Sequence, residues 1–133
     1  MLDLTHLARI VHGQLGLATA IALLHPVVVL RKHDGRWACG LACALSLTTI
    51  SVGWLLYPGY RAVERAQLWQ SAPRVAAMFE TKEHLAFYVG VLAISGWTLA
   101  RAGARPQARA CFAAASALAF AVGALGAIVA SAR

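Results

Sequence analysis

Charge is scarce in this chain. Asp, Glu, Lys and Arg make up 13 % of its 133 residues, about half the share of an average soluble domain, so a water-facing surface cannot easily be assembled. Acids are the rarer sign, five against twelve Lys and Arg. They lie outside the long apolar runs, which argues against a proton-coupled transporter built on an intramembrane carboxylate. The chain lacks Cys-x-x-Cys-His, which excludes covalent c-type haem attachment, and it has no phosphate-binding glycine loop and no nucleophile triad. Methionine is limited to Met1 and Met78, too few for a soft-metal copper carrier. The three cysteines, Cys39, Cys43 and Cys111, fall near one membrane face, where disulfides are disfavoured if that face is cytoplasmic. Cys39 and Cys43 share a helix face and read as small packing residues, with a soft-metal site joined by His25 as the alternative.

What the chain has in quantity is apolar sequence, 60 % of all residues, in four runs. Residues 7–30 form the first, long enough at about 1.5 Å per residue to cross a bilayer, and they contain two histidines. Residues 37–57 carry no charge and are closed by Pro58-Gly59. The third run, 85–100, is short, so a full crossing draws in Lys82, Glu83 and His84 as its first turn. The fourth, 110–130, is rich in Ala and Gly, with Ala119, Gly123 and Ala127 spaced by four, and Gly126 and Ala130 likewise; such spacing permits close helix approach. Between the second and third runs, residues 58–81 show helical periodicity in two pieces separated at Ser71-Ala72-Pro73. These read as two short interfacial helices lying across the mouth of the bundle. The expectation is an all-α membrane protein of one domain, a four-transmembrane-helix bundle with spans at about 8–30, 37–57, 82–100 and 109–130, and short interfacial helices between spans 2 and 3.

Four spans put both termini on one side, side A. Side B then holds two tight loops with Arg31, Lys32, Arg36, Arg101, Arg105 and Arg109 against the single acid Asp34. Side A spreads Arg9, Arg61, Arg65, Arg74, Lys82 and Arg133 among Asp3, Glu64, Glu80 and Glu83. Density in short loops sets orientation, so side B is expected to be cytoplasmic and the termini periplasmic, in the inner (plasma) membrane of a bacterium. No small-residue cleavage site follows the N-terminal stretch, so the first span is expected to be retained. The net charge of +7 flanks the spans and suits anionic lipid headgroups, not nucleic acid.

Topology brings His12 and His84 to within about a turn of the same membrane face. Two neutral imidazoles at equal depth on neighbouring helices are what a six-coordinate haem iron needs. Gly16, a turn deeper than His12, and Gly13 beside it leave room for a porphyrin, while Phe87 and Tyr88 can pack against its ring. Arg9, Arg61, Arg65 or Arg74 can pair with the propionates. His25, before Pro26, sits where the proline frees a carbonyl near Ala22; it is a candidate quinone or proton site, or simply a kinked turn with a hydrogen-bonded histidine. His33 and His6 lie in polar flanks and read as solvated.

In span count and in His12, Gly16 and His84, the chain resembles the small four-helix membrane-bound b-type cytochromes. The resemblance implies one haem b held by His12 and His84, and electron exchange with quinone or with a partner in a larger membrane redox complex. It points to an electron-transfer or accessory subunit more than to a stand-alone enzyme. Two other readings stand beside it. One is a non-catalytic accessory or assembly subunit whose small-residue faces dock a larger partner or a second copy. The other is a small-molecule or metal carrier.

Overall fold

The computed structural model describes residues 4–131 of the backbone and the side chains of 7–131; Asp3, His6 and Arg133, all assigned roles above, lie outside the described side chains. The described chain is entirely helical: α1 (Leu4–Val29), α2 (Arg36–Gly59), a π-helical turn (Tyr60–Glu64), α3 (Arg65–Ser71), α4 (Pro73–Arg101) and α5 (Arg105–Ser131). The four long helices form a closed ring in which α1 packs on α2, α2 on α4, α4 on α5 and α5 on α1. Three stretches, Leu7–Val29, Arg36–Ser71 and Arg105–Ser131, are long and apolar enough to cross a membrane. Large apolar side chains cover the outside, with Trp37 at 87 % and Leu55 at 81 % exposure, an exterior suited to lipid and costly in water.

The inward residues repeat every three or four positions. On α1 and the turn just after it they are Thr19, Leu23, Pro26 and Leu30; on α4, Val89, Ala93, Gly96 and Ala100; on α5, Ala108, Phe112, Ala115 and Ala119. This is the spacing of left-handed helix bundles. Most of this core lies from the middle of the bundle toward side B, where Cys39, Ala42 and Cys43 of α2 join it; toward side A, Ala76 of α4 and Val129 of α5 are also buried. Gly96 lets α4 close on α5, because an added Cβ would sit 2.8 Å from the fully buried Phe112 ring. Ser116 Oγ donates to the Ala20 carbonyl at 2.9 Å, tying α5 to α1.

Side B is drawn tight. Gly35 and Gly103 take left-handed φ of 56° and 82° at its two short turns, where a side chain would be strained. Asp34 meets Arg36 at 3.0 Å and Arg105 at 3.8 Å, bridging the two loops. Arg109 Nε donates to the Val27 carbonyl at 3.2 Å, one of the carbonyls that the end of α1 leaves open.

Two expectations for the connection between the second and third runs are corrected. Pro58-Gly59 does not close the second helix. The helix runs through both residues, with the Tyr60 N–H shared between the Leu56 and Tyr57 carbonyls, and a π-helical turn follows at Tyr60–Glu64; the donor that Pro58 lacks and the clash of its ring both concern the carbonyl four residues upstream, and membrane helices tolerate such prolines. Nor are there two separate interfacial helices. The chain breaks at Ala72, extended at φ −147° ahead of Pro73, as the residue before proline prefers. Pro73 then sits at the first turn of α4, where its missing N–H costs nothing. Residues 73–81 are therefore the start of the third long helix, and α3 is the one short helix between.

Candidate functional site

Toward side A the bundle is hollow. The small residues of α5 that the spacing assigned to close packing do not all serve it: Gly123 has open space within 4 Å of an added Cβ, as do Gly13 and Gly16 of α1. These glycines line a cavity of about 450 Å³ whose walls come from all four long helices and from Tyr60 of the π-helical turn. Its walls are otherwise largely apolar.

Polar groups enter the cavity at two levels. Deeper, Thr19 and Thr49 hydroxyls meet at 2.7 Å and the Thr49 hydroxyl also donates to the Leu45 carbonyl at 2.9 Å, so the pair consumes its own hydrogens. Nearer side A stand His12, Arg9, Lys82 and Glu83. The His12 imidazole is tucked against α2, where Gly53 makes room: a Cβ there would lie 2.9 Å from His12 Cε1. Its Nδ1 is buried and has no hydrogen-bond partner among the described residues. Lys82 Nζ pairs with Glu83 at 3.0 Å, with its side chain only 14 % exposed, and lies 4.7 Å from the Phe79 ring centre, which is itself stacked on Tyr60 at 4.0 Å. Arg9 pairs with Glu64 and so fastens α1 to the π-helical turn.

Of the residues singled out from the sequence for this site, His12, Gly13, Gly16, Arg9 and Phe87 meet at this cavity, while Tyr88 does not. Nor does His84. It is exposed on the outer side of α4, its Nδ1 2.7 Å from the Glu80 carbonyl, in a separate depression shared with Trp69 and Glu80. Arg61, Arg65 and Arg74 also lie outside the lining. Arg61 stands 5.9 Å from the Tyr57 ring centre, and Arg65 Nε donates to Glu80 at 2.8 Å, with Trp69 Nε1 adding a second bond at 3.3 Å. That clamp holds α3 to α4. It also lowers the Glu80 pKa, first through the Arg65 hydrogen bond and then through Trp69.

A haem between two histidines does not fit this arrangement, because among the described residues His12 is the only histidine in the cavity lining. His25 is exposed while Pro26 beside it is buried, and neither lines the cavity. Cys39 and Cys43 are free and buried in the core, the packing role their spacing suggests, and no group of three or more His, Cys, Asp or Glu is placed to hold a metal among the described residues. The residues sequence reasoning passed over are Gly53, Thr19 and the Lys82–Glu83 pair as cavity groups. Comparison with protein-family models, with curated proteins and with solved structures gives no match.

Proposed function

We propose that the protein crosses the membrane four times and binds a small lipid-soluble molecule in the cavity at its side A end. The observation that carries this is the cavity itself. Its volume of about 450 Å³ falls within the range of about 300–1,000 Å³ typical of small-molecule sites. Its walls are bare helix backbone at Gly13, Gly16 and Gly123, and its charged groups and imidazole stand together at the level nearer side A. An imidazole and an ion pair inside a membrane bundle are expensive to keep there, which marks them as functional. The α4 segment that carries Lys82 and Glu83 completes the fourth span, its charges turned to the cavity and away from lipid. The basic loops of side B orient that side to the cytoplasm.

The test is contact quenching. A variant retaining Trp54 of the cavity wall, with Trp37, Trp69 and Trp97 replaced by Phe, is reconstituted in nanodiscs and titrated with 10-bromodecanol. The expected result is quenching that saturates, and that becomes shallow and linear when Gly16→Leu fills the cavity. Linear quenching in both proteins contradicts a binding site. The haem reading is checked on the same preparations: a sharp b-type band in the reduced-minus-oxidised spectrum, lost in His12→Ala, replaces the lipid-soluble ligand with haem.

A further inference from the structure

The cavity's charges and its side opening say more about the occupant. Arg9 is matched by Glu64, and Lys82 by Glu83. The cavity thus presents cations that already have their anions, and an added carboxylate or ammonium would have to displace one of them in a medium that penalises unpaired charge. What remains unspent is donor capacity. Lys82 has three N–H groups and one carboxylate, so it keeps donors to spare. The threonine hydroxyls are bonded to each other and to the Leu45 carbonyl. The group that completes this set is an uncharged hydrogen-bond acceptor.

The route in is visible at the wall. Trp54 and Phe87 line the cavity yet are 75 % and 61 % exposed. They stand on α2 and α4, the most sparsely packed of the four neighbouring pairs. The cavity therefore reaches the outer surface of the bundle between these helices, at a level where that surface faces lipid.

Resting on the lipid-soluble-ligand reading, we infer that the occupant is a neutral amphiphile drawn sideways from the bilayer, its carbonyl-type head at Lys82 and its apolar chain leaving between Trp54 and Phe87. The head selects by accepting hydrogen bonds, and the flanking aromatic rings accept the chain.

The experiment uses four probes of equal chain length, 2-dodecanone, dodecanoate, dodecylamine and dodecane, as competitors of 10-bromodecanol quenching in neutral-lipid nanodiscs. 2-Dodecanone is expected to displace the bromoalcohol at about tenfold lower membrane mole fraction than the other three, the effect of one charge-assisted hydrogen bond. In the Lys82→Met/Glu83→Gln double variant, which leaves no unpaired charge, that advantage over dodecane disappears. Tightest binding of dodecanoate or dodecylamine, or equal binding of dodecane, overturns the inference while leaving the cavity as a binding site. Quenching by 10-bromodecanol that never saturates instead overturns the underlying reading.

Discussion

Two glycines meet aromatic or imidazole rings at nearly the same distance, and alanine at each should have opposite consequences. At Gly96 an added Cβ lies 2.8, 3.0 and 3.2 Å from three carbons of Phe112, a shortfall of about 0.7 Å on comfortable carbon contact. Phe112 is fully buried between α4, α1 and the core of α5 and has nowhere to go. Overpacking of this kind costs about 1–3 kcal/mol, against which the loss of a helical glycine returns about 0.5–1 kcal/mol. Gly96→Ala should therefore destabilise by about 1–2 kcal/mol. At Gly53 the added Cβ lies 2.9 Å from His12 Cε1, but His12 borders the cavity, with open space at Gly13 and Gly16. Its ring can swing away, so Gly53→Ala should change stability by about 0 ± 1 kcal/mol while weakening 10-bromodecanol binding several-fold. Reversible unfolding in mixed SDS micelles, followed by circular dichroism, measures both. Equal destabilisation by the two variants would refute the distinction between a packed lower half and an open upper half of the bundle.

Other consequences follow from the same contacts. Ser116→Ala removes the α5-to-α1 bond to the Ala20 carbonyl and should cost about 0.6 kcal/mol, the usual worth of an interhelical hydrogen bond in membranes; no change in the SDS midpoint would argue against that bond. The α3 clamp is acid-labile. Because the Glu80 pKa is lowered in the folded state by Arg65 and Trp69, its contribution is fully present above the ordinary carboxylate value and is lost as pH falls through the lowered one. Hydrogen exchange of α3, corrected for intrinsic rate, should accelerate over that acid window in the wild type and be pH-independent in Glu80→Gln. Exchange with the same pH profile in both proteins would remove Glu80 from the clamp.

Much of the bundle was legible because apolar length and small-residue spacing are direct demands of lipid and helix packing. The first and fourth long helices, the tight basic loops and the break at Ala72-Pro73 were all readable. The phase of α4 was the harder matter. Its inward stripe runs Lys82, Ala86, Val89, Ala93, Gly96, Ala100, and a helix turns about 100° per residue, so His84, two positions after Lys82, faces outward. Depth alone, which placed His84 level with His12, carries no information on phase. The stripe was present in the sequence as small residues three and four apart, and reading upstream along it points to Lys82. His12 reaches the cavity because 12, 16, 19, 23 and 26 form one stripe on α1, a phase that depth does not give. Pro58 misled because a membrane helix continues through an internal proline where its surroundings re-satisfy the freed carbonyl, which depends on the neighbouring groups and not on the proline.

The most direct measurement is the stoichiometry of bound ligand. Radiolabelled 2-dodecanone is equilibrated with protein in nanodiscs and compared with empty discs. The account predicts one saturable molecule per chain in the wild type and none in a Gly16→Leu/Gly123→Leu variant whose circular dichroism and SDS midpoint are unchanged. Equal excess binding by both proteins would mean that the ligand sits on the outer surface and that the cavity at the side A end is not a binding site.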